Sequence, residues 1–155
     1  YTEKVIRTIN QYCNEKNITI TIIAGFGYAN YDSIKSYENV IIKRNISNIS
    51  DYMLQADLIF TSAGRTVYEV ASIGTPTVVM AQNEREMTHF FASAEYGFSN
   101  LGLGHEVSDE NIMNEFIRLV NSFESRNHMS NLMKKQDLKS GRKRVYKLIQ
   151  DLINN

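Results

Sequence analysis

The sequence predicts an α/β fold, a Rossmann-like parallel sheet flanked by helices. Apolar runs of strand length alternate along the chain with stretches of helical periodicity, which is the pattern of right-handed βαβ units. Several of these runs are continuously apolar, as strands covered on both faces by helices require. Loops with glycine, small or polar residues follow three of the runs, at the edge where open α/β sheets bind their ligands.

The N-terminal half of the sequence supplies the first three strands. Helical spacing and β-branched runs predict, in order, a helix over residues 2–16, a strand over 18–24, a short helix over 31–37 and a strand over 40–43. The next helical face follows Asn48 or Ser47, and either residue is a suitable N-cap. The third strand is expected over 58–61.

The C-terminal half continues the alternation. The helix after the third strand should end at Gly74, and a fourth strand is expected over 77–80. The elements expected after it are a helix through Met87, Phe90, Phe91 and Ala94 that ends before Gly97, a short strand near 99–101, a helix capped by Ser108, and helices over 125–137 and 142–153.

Composition bounds the class of protein. The 155 residues suffice for one domain with its own core, and we expect residues 1–155 to be a single domain. Lys and Arg number 17, as do Asp and Glu, so no nucleic-acid or membrane-surface partner is indicated. No apolar run approaches the ~20 residues of a membrane helix. Because the sequence begins at Tyr1 without methionine, we expect a segment of a longer protein.

The single cysteine and the histidines give little sign of metal chemistry. Cys13 excludes an intrachain disulfide and fits a reducing, cytoplasmic location; it lies on the apolar face of the first helix and is expected to be buried. No histidine, cysteine or carboxylate pair has a metal-ligand spacing, and we expect no metal and no cofactor. His89 is a candidate acid–base residue, although a partly buried structural histidine is the favoured interpretation. His105 and His128 are expected at the surface.

The most informative stretch runs from Ser62 to Glu69. The small residues Ser62, Ala63 and Gly64 separate a strand from a helix that opens with Arg65 and Thr66. Such a turn presents free backbone N–H groups and the positive end of a helix dipole, which suit a phosphate. Glu69, about a turn and a half into the helix, can reach the vicinal hydroxyls of a sugar, so the stretch indicates a nucleotide-sugar site. The alternative is a packing turn with a solvated glutamate.

Two other loops should meet this turn at the same edge. Gly25-Phe26-Gly27 opens the loop from Gly25 to Asn30 after the first strand, and a charged loop follows the fourth strand. The glycines can equally be a tight turn, and the charged residues can be solvated. Asn30 occupies the place of the third glycine of a dinucleotide-binding loop, which disfavours a nicotinamide or flavin dinucleotide.

These loops carry a family resemblance. The chain resembles the C-terminal domain of two-Rossmann-domain (GT-B) glycosyltransferases, especially family 28, whose type member is the peptidoglycan N-acetylglucosaminyltransferase. The resemblance is clear over 1–124 and looser beyond. The stretch from Ala81 to His89 resembles most the UDP-sugar hydrolase of pseudaminic acid synthesis and its spore-coat-polysaccharide relatives.

The resemblance implies a role for each loop. It places a UDP-sugar diphosphate at Gly25 and Gly27, and the ribose hydroxyls at Glu69. Phosphate and base would lie at the turn formed by Ser62, Ala63, Gly64, Arg65 and Thr66. The sugar would face the loop formed by Gln82, Asn83, Glu84, Arg85 and Glu86. Two departures stand out: Phe26 separates the two glycines, and Arg65 is bulkier than the residues common there.

The implied activity is transfer or hydrolysis of a sugar in surface-polysaccharide or nonulosonic-acid synthesis. The catalytic base commonly lies in an N-terminal domain that these residues do not include, so this segment is expected to bind without turnover. One alternative is a recognition module attached to a sugar-activating nucleotidyltransferase, and another is half of a GT-B sugar-nucleotide 2-epimerase.

Overall fold

Helices and strands alternate along the chain, as the sequence predicts. The computed structural model describes residues 1–28 and 31–154. Its elements are α1 (Thr2–Glu15), β1 (Ile20–Ala24), α2 (Tyr31–Ile34), β2 (Val40–Arg44), α3 (Ile49–Gln55), β3 (Ile59–Thr61), α4 (Thr66–Ile73), β4 (Thr77–Ala81), α5 (Glu84–Met87), β5 (Phe98–Leu103), α6 (Asp109–Asn121), α7 (Phe123–Lys135) and α8 (Gly141–Ile153). Short 3₁₀ turns lie at Ala94–Tyr96 and Leu138–Ser140.

The strands form two parallel sheets. β1 pairs with β2, and β4 lies between β3 and β5. Ala24 is opposite Arg44 in the first sheet, and Thr61 is opposite Val79 in the second. All pairings are parallel, so the carboxyl ends of neighbouring strands lie at one edge within each sheet. The predicted α/β, Rossmann-like architecture is confirmed.

The core of the larger sheet is built around β4, in which every residue is buried. Val79 and Ala81 pack in a cluster with α4 and Met133 of α7. Val78 packs with Leu119 of α6, on the other side of the strand. This double coverage accounts for the continuously apolar sequence of the strand.

A second cluster joins the two sheets. Ile9 and Cys13 of α1 pack with Met80, with Ile20 of β1 and with Phe60 of β3. Cys13 is completely buried, as predicted, and burial raises the pKa of its thiol to about 11. The thiol is therefore a neutral, apolar part of this junction.

Two buried threonines fix the connection into β4. The Thr75 hydroxyl donates to the carbonyl of Met53 in α3 at 2.7 Å. The Thr77 hydroxyl donates to the carbonyl of Thr75 at 2.8 Å. Both side chains are thereby satisfied inside the protein, where an unpaired hydroxyl would be costly.

The helix predicted through Ala94 is wrong. α5 ends at Met87, and Phe90 is 75% exposed instead of lying on an apolar face. Tertiary hydrogen bonds hold the segment in a non-helical path: the Asn100 side-chain amide donates to the Ala92 carbonyl at 2.6 Å. His89 therefore lies in the loop after α5.

Smaller differences also have local causes. β1 starts at Ile20, because the Ile18 N–H donates to the Cys13 carbonyl at the end of α1, at 2.8 Å. Asn48 is at the N-cap of α3, but its amide donates to the Asp51 carboxylate and makes no cap hydrogen bond. Ser108 caps α6 as predicted, accepting from the Asn111 N–H at 3.1 Å.

The last helix, α8, packs loosely. All of its residues after Gly141 are exposed, and its exposed large apolar side chains are Val145, Tyr146, Leu148, Ile149, Leu152 and Ile153. No helix within the described residues is long and apolar enough to span a membrane.

Candidate functional site

The turn between β3 and α4 forms the centre of the candidate site. Thr61 ends β3, and Thr66 begins α4. The four residues between them, Ser62 to Arg65, therefore place the N-terminus of the helix close to the carboxyl end of β3. Ala63 is 1% exposed, whereas Arg65 is exposed. A backbone turn of small residues can therefore approach a ligand closely, with a cation beside it.

A carboxylate from the neighbouring loop holds this turn. Glu86 Oε2 accepts the N–H of Ala63 at 3.2 Å and the N–H of Gln82 at 2.8 Å. A Cβ built on Gly64 would lie 3.4 Å from Glu86 Oε1 and from Ser62 Oγ. Glu86, expected to face the sugar, thus ties the turn after β3 to the loop after β4.

His89 holds the same turn from its carbonyl side. Its Nδ1 lies 2.6 Å from the Ala63 carbonyl oxygen. A carbonyl only accepts hydrogen bonds, so Nδ1 carries the proton and, in the neutral ring, Nε2 is the acceptor. The side chain is partly buried, as expected, and its acid–base role stays a prediction.

The other residues of the loop after β4 have mixed surroundings. Asn83 caps α5, and its Oδ1 accepts the Glu86 N–H at 3.1 Å. The Gln82 carbonyl accepts the Tyr1 hydroxyl at 3.3 Å. Glu84 and Arg85 are exposed. They stay candidates for contact with a ligand.

Glu69 lies on the exposed surface of α4. It is three residues beyond Thr66, which is roughly 4.5 Å along the helix axis. Glu69 therefore lies within one helical turn of the start of α4. The proposed ribose contact stays a prediction.

The loop after β1 is open. A Cβ at Gly25 or Gly27 would meet no atom within 4 Å, and Phe26 is 91% exposed. The Gly25 carbonyl accepts the Tyr28 N–H at 3.1 Å. The rest of the predicted loop, Ala29 and Asn30, lies outside the described residues.

Arg44 is a further cation at the carboxyl end of a strand, and its place there was not predicted from the sequence. It ends β2 opposite Ala24, and its Cζ lies 3.3 Å from the centre of the Tyr31 ring, a cation–π contact. The Tyr31 hydroxyl in turn donates to the Gly25 carbonyl at 3.4 Å. Parallel pairing of β1 with β2 brings this residue beside the glycine loop. The position of Arg44 at the end of the second predicted strand was therefore the signal that could have found it.

The structure thus joins two of the three predicted loops directly. Glu86 and His89 connect the turn after β3 with the loop after β4, while the glycine loop ends a strand of the other sheet. His105 and His128 are exposed as predicted. Among residues 1–28 and 31–154, no group of three or more His, Cys, Asp or Glu side chains is arranged to hold a metal ion.

Known proteins resemble this chain over most of its length. Residues 2–152 match the glycosyltransferase family 28 C-terminal domain. A crystal structure described as a UDP-N-acetylglucosamine 2-epimerase from Listeria monocytogenes shares the fold, with a TM-score of 0.64 and 16% identity over 83% of this chain and 34% of that one.

Two curated relatives match shorter stretches. The spore coat polysaccharide biosynthesis protein SpsG of Bacillus subtilis is 31% identical over 78 residues, 50% of this chain and 23% of that protein. The uncharacterized protein MJ1062 of Methanocaldococcus jannaschii is 42% identical over 57 residues, 37% of this chain and 10% of that protein. The matched stretches span less than a quarter of the curated relatives.

Proposed function

The chain belongs to the glycosyltransferase family 28 C-terminal domains, and from this we propose that it is the UDP-sugar-binding half of an enzyme that transfers or hydrolyses a sugar. The family implies a sugar-nucleotide substrate and an N-terminal partner domain. The similarity to a spore-coat-polysaccharide protein supports a role in surface-polysaccharide or nonulosonic-acid synthesis. The proposal includes a cytoplasmic location, because a single free, buried cysteine fits a reducing compartment.

One observation carries the binding role. The Ser62–Arg65 turn brings the N-terminus of α4 to the carboxyl end of β3. It is held there by the Ala63 N–H, which donates to Glu86, and by the Ala63 carbonyl, which accepts from His89. Donors that are fixed before the ligand arrives stabilise charge without reorganising. In the proposal the diphosphate lies against this turn, and Glu69 accepts hydrogen bonds from the ribose hydroxyls.

The chemistry proposed for these residues is electrostatic. Negative charge grows on the diphosphate as the bond to the sugar breaks. The backbone N–H groups of the turn other than that of Ala63, which donates to Glu86, and the exposed guanidinium of Arg65 stabilise that charge. The acceptor or water is activated by a base from the N-terminal partner domain, which leaves UDP departure to this half.

Calorimetric titration with UDP, CMP, GDP and NAD tests the binding role. We expect UDP to bind more tightly than the other three, with modest affinity because a two-domain cleft ordinarily buries most of its ligand. Tighter binding of NAD, or no binding of any nucleotide, would contradict the proposal.

An assay for free UDP tests the division of labour. The 155-residue chain, incubated at high concentration with a panel of UDP-sugars, should release no UDP. Turnover that disappears in His89→Ala would instead make His89 the catalytic residue and this half sufficient for the reaction.

A further inference from the structure

Ala63 is held on both of its backbone polar groups by side chains three residues apart. Glu86 accepts its N–H, and His89 lies 2.6 Å from its carbonyl. Glu86 and His89 lie in and just after α5, so one short segment grips the turn from the side of β4. The Asn83 cap, which accepts the Glu86 N–H, fixes the start of that segment.

The hydrogen bond between His89 and the Ala63 carbonyl also affects Gly64, through the peptide bond that the two residues share. The carbonyl of Ala63 and the N–H of Gly64 belong to one planar trans peptide and point in opposite directions. A hydrogen bond from His89 Nδ1 to that carbonyl therefore sets the direction of the Gly64 N–H. It also polarises the peptide and makes this N–H a stronger donor.

The Glu86 carboxylate links the chain segments that follow β3 and β4. A single oxygen, Oε2, accepts one N–H from the residues after β3 and one from the residues after β4. The distance between these two chain segments is thereby fixed at the edge of the sheet. The other oxygen, Oε1, faces Gly64 and adds negative charge close to the turn.

From this arrangement we propose that Glu86 and His89 are positioning residues, which hold the Ser62–Gly64 turn in the geometry that receives a diphosphate. His89 acts through Nδ1, and Nε2 is not required. Glu86 acts through its acceptor oxygen, and its negative charge is not required. The inference rests on the proposed function, because it names the residues that prepare the same site.

Two matched variants separate the Nδ1 role of His89 from any role of Nε2. In His89→Asn the side-chain amide places a donor where Nδ1 lies, whereas His89→Leu has similar size and no donor. We expect UDP affinity within about twofold of wild type for His89→Asn, and about fivefold to tenfold weaker affinity for His89→Leu, the loss of one hydrogen bond. Equal loss in both variants would overturn the proposal.

A second pair tests Glu86 against the role of a sugar contact. Glu86→Gln keeps an acceptor oxygen and removes the charge, so it should bind UDP at least as tightly as wild type. Glu86→Leu should lose about fivefold to tenfold for UDP and for UDP-N-acetylglucosamine alike. A loss confined to the sugar nucleotide would overturn the positioning role.

Amide hydrogen exchange tests the clamp without any ligand. The N–H groups of Ala63 and Gln82 should exchange slowly in wild type and faster in Glu86→Leu, with circular dichroism unchanged. Fast exchange of both in wild type would overturn the clamp. Slow exchange in a wild-type chain that binds no nucleotide would overturn the proposed function and leave the clamp in place.

Discussion

The turns after β1 and β3 both leave the carboxyl end of a parallel strand, but they are built differently. The turn after β3 contains the buried Ala63 and is bonded to side chains from another segment. The turn after β1 has open space around Gly25 and Gly27 and an almost fully exposed Phe26. Tertiary contacts fix the turn after β3, whereas the turn after β1 is shaped mainly by its own backbone.

The sheets behind these turns differ in the same direction. β4 of the larger sheet is buried along its whole length. In the smaller sheet Thr21 and Ile41 are exposed, so that sheet is covered less completely. The β3–β4–β5 sheet with the turn after β3, called the rigid half below, is more completely buried and bonded than the β1–β2 sheet with its glycine loop, called the open half. Substitutions should therefore have larger effects in the rigid half.

The largest expected effect is on folding in the rigid half. Gly97, which precedes β5, has φ +92°, and a Cβ there would lie 2.4 Å from the Met129 carbonyl oxygen. Gly97→Ala should lower the free energy of unfolding by about 3 kcal/mol, from combined backbone strain and overpacking. Urea unfolding measures this value.

Gly102 supplies the matched control for that substitution. Its φ is +90°, but a Cβ there would meet no atom within 4 Å. Gly102→Ala should therefore cost only the strain of the left-handed backbone, about 1–2 kcal/mol. Equal losses for the two variants would show that packing against α7 adds nothing.

The next largest effect is on binding at the edge of the rigid half. Glu69→Ala should weaken UDP binding by roughly 2–3 kcal/mol, because two charge-assisted hydrogen bonds to ribose are lost. Calorimetry with UDP measures the change, and dUDP, which keeps only the 3′-hydroxyl, is the control whose affinity should differ less between wild type and variant. Unchanged UDP affinity would make Glu69 a solvated helix residue.

A smaller effect, of opposite sign, is expected in the open half. Gly25 and Gly27 lack a positive φ and have room for a Cβ. Gly25→Ala and Gly27→Ala should raise the free energy of unfolding by about 0.4–1 kcal/mol, by restricting the unfolded chain. UDP affinity should nevertheless fall if the diphosphate approaches this backbone. Destabilisation by either variant would show that the loop is packed after all.

The smallest effect concerns the junction between the halves. Because burial raises the pKa of the Cys13 thiol to about 11 from an ordinary 9.0, almost no thiolate is present at pH 8. Ellman's reagent should leave the native protein unmodified and react fully in urea. Rapid reaction of the native protein would show that the smaller sheet opens readily.

Much of the fold followed from the sequence, because the strands and helices carry their own periodicity. The buried run of β4 and the Ser108 cap are local signals, and both are present in the structure. The backbone conformation from Thr88 to Ser93 is not determined by local sequence signals. It depends on bonds from Ala92 to Asn100 and from His89 to Ala63, which sequence spacing does not reveal.

The candidate site divides in a similar way. A small-residue turn followed by a helix is readable from sequence, and so the importance of Ser62–Glu69 could be predicted. The role of Glu86 could not, since a glutamate in a charged loop looks the same whether it faces solvent or accepts two backbone N–H groups. Only the parallel pairing of β3 with β4 brings those groups together.

The threonine pair around Pro76 has a consequence for how the molecule comes apart. Thr75 binds the Met53 carbonyl of α3, the helix that connects the smaller sheet to the larger one. α3 cannot move away from the start of β4 without breaking this buried hydrogen bond between the Thr75 hydroxyl and the Met53 carbonyl. Together with the α1 cluster that spans both sheets, this bond couples α3 to the larger sheet, and we expect denaturation to be a single cooperative event rather than the loss of one sheet before the other.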